Sequence, residues 1–217
     1  MDKKAVYEVI DSKASEFAAL SDAIWDYAEL AFTEHQSAEA LCRQLEKEGF
    51  AVTRGVAGIE TAFTARYGSG KPVIGILGEF DALSGLSQKA GCAVREPLCP
   101  GAAGHGCGHN MFGVGSIAAA VGVKKYLEDT GHSGTVVYFG TPGEEGGSGK
   151  AFMAREGVFD ELDAAVAWHP SDLNAVMTGS GPTVFGLFAQ KEQAERAAQT
   201  LRSRYAQLFL TTPVQRV

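Results

Sequence analysis

The chain has 217 residues, 45% of them hydrophobic and 21% charged, which suits a globular protein with one substantial domain and room for a small appendage. Its formal net charge of -7 argues against a nonspecific grip on nucleic-acid phosphates, and no apolar run is long enough to span a bilayer. Residues 1–17 mix charged and apolar side chains and lack the apolar centre of a secretory signal, so a cytoplasmic location is the expectation.

Residues 3–31 carry apolar side chains at helical spacing, with Val6, Val9, Ile10, Phe17, Leu20, Ile24 and Tyr27 available for one face. A second helix is predicted over 34–48, stopped by Gly49. Two β-type runs follow, at 50–53 and 61–67, and Gly68, Ser69, Gly70 and Pro72 mark a turn. Residues 73–77 read as a buried strand. The glycine-rich stretch 81–110 is long for a loop in a compact domain, so it is either functional or disordered. A helix over 111–129, a strand over 135–139, a helical stretch over 150–156 and a strand over 164–168 complete the pattern. Alternating strands and helices imply an α/β domain with a mostly parallel or mixed sheet, and the fold expected is a three-layer α/β/α arrangement around a mixed, mostly parallel sheet.

Sheets of this kind hold ligands beyond the carboxyl ends of their strands. Three predicted strands deliver suitable residues there: Glu79 and Asp81 after 73–77, Glu144 and Glu145 after 135–139, and His169 after 164–168. Cys107 and His109 stand two apart in Gly104-His105-Gly106-Cys107-Gly108-His109-Asn110, just before a helix. Glycine permits the sharp turn that brings both to one metal, and the helix N-terminus favours the thiolate. The alternative is a flexible glycine loop with incidental Cys and His. The adjacent carboxylates Glu144 and Glu145 repel each other. A divalent cation would relieve this by binding one and leave the other as general base towards an activated water, the alternative being a solvated acidic turn. Glu144 is assigned the proton transfer, and Asp81, with Glu79 beside it, the orienting of a ligand. The mixed S/N/O donor set suits zinc and admits manganese, as one or two ions. His35, His105 and His132 are left out of the metal set. Cys42 reads as a buried hydrophobe, while Cys92 and Cys99, in the glycine- and proline-rich loop, are either ordinary thiols or a local disulfide.

Four ordered motifs carry a family resemblance: Gly78-Glu79-Phe80-Asp81-Ala82-Leu83, the Gly104–Asn110 run, Thr141-Pro142-Gly143-Glu144-Glu145-Gly146-Gly147 and Ala167-Trp168-His169-Pro170. Residues 1 to about 180 resemble the amidohydrolase branch of the aminoacylase/carboxypeptidase-like metallopeptidases, and within it the aminobenzoyl-glutamate hydrolase group. The resemblance implies a zinc-exopeptidase-like fold, with Cys107, His109, Glu145 and His169 as metal ligands and Glu144 as general base. It also implies an N-acyl or N-aroyl amino acid, or a dipeptide, as substrate. Family members are longer. They carry an inserted lid and dimerisation domain and a return segment with a final histidine ligand, whereas no histidine follows His169 here and Ser84 replaces the usual proline. The expectation is therefore a truncated catalytic domain over 1–180, of open oligomeric state, which either turns over or binds metal without turnover.

The remainder, 181–217, is expected to be a short α/β tail: a glycine turn entering a strand from about Thr178, a basic amphipathic helix over 191–204 and a strand over 208–211. The run Gly179-Ser180-Gly181-Pro182-Thr183-Val184-Phe185 resembles the C-terminal end of diphosphocytidyl-methylerythritol kinase, of the GHMP kinase superfamily. That kinase's nucleotide loop and catalytic residues have no counterpart here, so a small-molecule kinase is the least favoured function and a fusion of two truncated genes the favoured origin.

Overall fold

A computed structural model describes residues 3–92, 94–170 and 199. The chain divides into two compact units, Met1–Asn174 and Ala175–Val217. Of the second, only Gln199 is described, as helical and exposed; the turn, helix and strand expected in the tail otherwise lie outside the described residues.

The first unit begins with α1 (Lys3–Asp11) and α2 (Ala14–Tyr27) where one continuous helix was expected over 3–31. The break has a local cause. The Ser12 hydroxyl donates to the Val9 carbonyl at 2.8 Å, a bond that competes with the helical ladder. At the far end Ala28 turns left-handed (φ 44°) and closes α2 with its N–H on Ile24. Helix α3 (His35–Lys47) follows and buries Ala38, Leu41, Cys42 and Leu45 at helical spacing.

Strands β1 (Ala51–Arg54), β2 (Phe63–Ser69) and β3 (Val73–Gly78) precede α4 (His109–Thr130) and β4 (Gly134–Gly140). The four-residue turn α5 (Glu144–Gly147) has non-helical backbone at Glu145 and Gly146, and α6 (Gly149–Arg155) leads to the short β5 (Ala164–Val166). The strands form one sheet in the order β1-β2-β4-β3-β5. β1 with β2 and β2 with β4 are antiparallel, while β4 with β3 and β3 with β5 are parallel. The sheet is mixed, as expected: its pairings divide equally, while four of its five strands run one way and β2 runs against them.

β4 is buried along its whole length, as a central strand covered on both faces must be. Its side chains alternate between two cores. Val136 and Tyr138 join the helical layer with Ile24, Leu41, Leu45, Ile117 and Val121. Val137 and Phe139 face the other side, with Met153 of α6 and Leu162. Burying each such side chain contributes roughly 1.5–3 kcal/mol. Three layers result, as expected, with the second helical layer the thinner one.

The stretch 81–110 is ordered where described. Leu83 and Gly104 bond each other through both backbone groups, which folds the loop back on itself. All four cysteines are free.

Candidate metal centre

Because β3, β4 and β5 run parallel, their carboxyl ends open on one edge of the sheet. Glu79 and Asp81 leave β3 there, Glu144 and Glu145 follow β4, and His169 follows β5. Helix α4 brings its first residue, His109, to the same edge. Two side-chain bonds hold α4 on the strands: Ser116 Oγ donates to the Leu77 carbonyl at 2.6 Å, and Tyr138 Oη to the Gly113 carbonyl at 3.1 Å.

His109 is the fully buried centre of the cluster. Its Nδ1 lies 3.1 Å from both the backbone oxygen and Oδ1 of Asp81. Both partners are acceptors, so Nδ1 carries the proton and Nε2 points into the site. Around Nε2 stand Glu79 Oε2 at 3.1 Å, Glu145 Oε1 at 3.9 Å and Glu144 Oε2 at 4.0 Å. Asp81 has a second duty, since its Oδ2 accepts the Glu145 backbone N–H at 2.8 Å. One carboxylate thereby fixes both the histidine tautomer and the glutamate turn. The Cys107 sulfur lies 3.2 Å from His169 Nε2, and the rings of His109 and His169 meet edge to face at 5.4 Å.

Among the described residues two triads offer donor atoms close enough to share one cation: Cys107, His109 and His169, and Glu79, His109 and Glu144. Glu145 belongs to neither, but its Oε1 and His109 Nε2 face each other across 3.9 Å, both buried and neither with a hydrogen-bond partner among the described residues. Burial of such atoms without a partner is costly, and a shared divalent cation would satisfy both. The residues present therefore fit a metal.

Electrostatics in the cluster reflect the same crowding. Burial works against a charged His109, but the bond to Asp81 and the neighbouring Cys107 outweigh it and push its pKa up to about 10. His109 would hold a cation through Nε2 only with that nitrogen unprotonated. Burial, with the charges of Glu145 and Asp81, raises Glu144 above the usual carboxylate range against the pull of His109. Lys150 pairs with Glu79, and burial pushes the lysine down to about 8.

All six residues expected from sequence, Asp81, Cys107, His109, Glu144, Glu145 and His169, thus lie in one cluster. His105, set aside in the sequence reading, is buried and hydrogen-bonded to the Ile24 carbonyl at 3.0 Å, outside both triads. His132 bonds the Tyr126 hydroxyl, and His35 is exposed. The sequence reading missed Lys150, and also Glu34, which reaches the glutamate turn from the α2–α3 connection. Nothing in the local sequence around Glu34 signals a bond to a residue 109 positions away.

Comparison with known proteins finds relatives for both parts of the chain. The chain is 55% identical over 163 residues to a p-aminobenzoyl-glutamate hydrolase subunit of Escherichia coli, covering 75% of this chain and 34% of that one. It is 35% identical over 185 residues to Xaa-Arg dipeptidase of Mus musculus, 80% of this chain and 39% of the relative. The chain thus spans little more than a third of the length of these curated relatives, both named hydrolases or peptidases. Among solved structures, a Bacillus subtilis dinuclear metal-binding peptidase of the M20 family superposes with a TM-score of 0.59 at 22% identity, covering 71% of this chain and 42% of that one. A family model for the C-terminal region of GHMP kinases matches residues 147–207. At 50% identity over 38 residues, 18% of this chain and 13% of the relative, the chain also matches 4-diphosphocytidyl-2-C-methyl-D-erythritol kinase of Syntrophomonas wolfei. The first part of the family-model match overlaps α6 and β5, and β5 pairs with β3 in the α/β sheet. Two homologies therefore meet in this chain: its larger part is a close homologue of the aminobenzoyl-glutamate hydrolase with an M20-peptidase fold, and its end is similar to the kinase C-terminus.

Proposed function

We propose that residues 1–180 form the metal-binding part of an amidohydrolase that cleaves the amide bond of N-acyl or N-aroyl amino acids or dipeptides, and that 181–217 is a kinase-like tail without kinase chemistry. The observation that carries the reading is the buried pair His109 Nε2 and Glu145 Oε1, both without hydrogen bonds, beside Cys107 and His169. Cys107, His109, Glu145 and His169 would hold one or two divalent ions, zinc or manganese, from a mixed donor set that suits either. When bound, the cation supplies Lewis acidity to a water molecule and to the substrate carbonyl.

The chain's own residues do the rest. Asp81 holds His109 by Nδ1 and keeps Nε2 directed into the site. Glu144, with a carboxyl raised by burial, accepts the proton of the attacking water and delivers it to the leaving nitrogen. Partial burial favours the first half of this relay, because a carboxylate held above the ordinary range takes a proton from water more readily than an exposed one. A cytoplasmic setting fits four unpaired thiols. Among the described residues no helix is long and apolar enough to cross a membrane.

The test is metal content of the purified chain together with hydrolysis of a panel of N-acyl and N-aroyl amino acids, with Glu144→Gln as control. The expected result is bound zinc or manganese in both proteins and turnover about 10²–10⁴-fold lower in the variant. Metal without turnover in the parent chain would leave a binding fragment, and absence of metal would remove the site.

A further inference from the structure

The connection between α2 and α3 touches both acidic loops of the site, although none of its residues belongs to the metal cluster. Glu34 is completely buried in this connection. It stands at the N-cap position of α3, yet its side chain makes no capping bond. That duty falls to Glu29, whose carboxylate accepts the backbone N–H groups of Gln36 and Ser37 at 2.9 and 2.8 Å. Freed from the helix end, Glu34 reaches across the molecule. Its Oε1 accepts the Gly143 N–H at 2.8 Å, and its Oε2 accepts the Thr61 hydroxyl at 3.0 Å.

Two further contacts fix the same turn. Phe32, itself left-handed at φ 63°, lays its ring against Gly143 and Gly147, and a Cβ on Gly143 would meet that ring at 2.8 Å. The Glu29 carbonyl accepts the Ala82 N–H at 2.8 Å, directly after Asp81. One short connection therefore grips the loop that carries Asp81 and the turn that carries Glu144 and Glu145.

We infer that Glu34 is a positioning residue: by holding the Gly143 N–H it sets the backbone from which Glu144 and Glu145 project. The inference rests on the reading of Glu144 as general base and Glu145 as ligand, but its geometric content stands without turnover. Both side-chain oxygens are engaged, one by the Gly143 N–H and one by the Thr61 hydroxyl, and the fully buried setting keeps water from competing for either bond.

Residue-resolved amide hydrogen exchange on the metal-free full chain tests this, combined with zinc titration, for Glu34→Ala and Glu34→Gln. The expected result for Glu34→Ala is faster exchange at Gly143 by about 100-fold, with amides of β4 within about 2-fold of the parent, and zinc binding weakened about 10-fold. Glu34→Gln, which keeps an acceptor oxygen and the side-chain volume, recovers most of both and also answers should the alanine variant not fold. Unchanged exchange at Gly143, or a rise shared equally by β4, would overturn the positioning role. Neither readout needs catalysis, so an inactive parent chain would count against the proposed hydrolase and not against Glu34.

Discussion

Two histidines four residues apart, His105 and His109, end in opposite electrostatic states, and their acceptors explain the difference. His109 has a carboxylate at Nδ1, and its pKa rises. His105 is equally enclosed but has only the Ile24 carbonyl at Nε2 and no partner at Nδ1, so burial dominates and pushes it down to about 4. A base whose folded pKa lies below its unfolded value near 6.5 contributes stability that is fully present above about pH 6.5. That contribution fades as pH falls, and it is lost once pH passes through about 4. The interval corresponds to about 3 kcal/mol at most. The expected outcome is that urea unfolding of the parent chain loses stability between pH 6.5 and 4 more steeply than that of His105→Gln, which keeps a donor for Ile24 and does not titrate. Parallel curves for the two proteins would mean that His105 is not held neutral by burial.

At the scale of elements, the site depends on how closely α4 can approach the strand ends. The Trp168 indole lies against Gly115, where an added Cβ would collide with the ring. Trp168 in turn packs edge to face on Phe112 at 5.9 Å, and Phe112 on His169 at 5.8 Å. Gly115→Ala sets two effects against each other. Helix propensity gains about 1 kcal/mol, while overpacking costs about 1–3 kcal/mol. The collision involves a large ring and wins, so the variant should be less stable by about 1 kcal/mol in urea unfolding and should bind zinc about 10-fold more weakly as His169 shifts. A more stable variant with unchanged affinity would place the indole elsewhere. This dependence also marks what the sequence could and could not reveal. Strands β3 and β4 and the residues at their ends were legible because burial on both faces leaves continuous apolar runs, β5 because its short run is apolar although it is exposed, and parallel pairing fixes which end carries the candidate site. The break between α1 and α2 was not, because apolar spacing runs through Ser12 and only a side-chain bond interrupts it. The equal mix of pairings was hidden as well, since an antiparallel β2 beside β4 reads as the same apolar run. Lys150 and Glu34 were illegible for a different reason: their partners, Glu79 and Gly143, lie 71 and 109 residues away.

At the scale of the whole molecule, four carboxylates converge where two parallel strands end, and the chain's own residues answer them with Lys150 and His109. This compensation is incomplete, because His109 Nε2 and Glu145 Oε1 remain buried without hydrogen bonds. A divalent cation binding only the folded chain would satisfy both atoms, adding stability by mass action. At a free concentration about 100-fold above Kd the gain is about 2.7 kcal/mol, which for a unit of this size raises the melting temperature by roughly 5–10 °C. Zinc should produce that shift at neutral pH, and a chelator should reverse it. The shift should shrink as pH falls, because protons compete for thiolate, imidazole and carboxylate together. Cys107→Ser and His109→Ala remove donors from the centre and should abolish most of it, whereas substituting the exposed Cys99 should not. If zinc left the melting temperature of the parent chain unchanged, the carboxylates would be a neutralised structural cluster. A shift retained in both donor variants would instead locate binding elsewhere on the molecule.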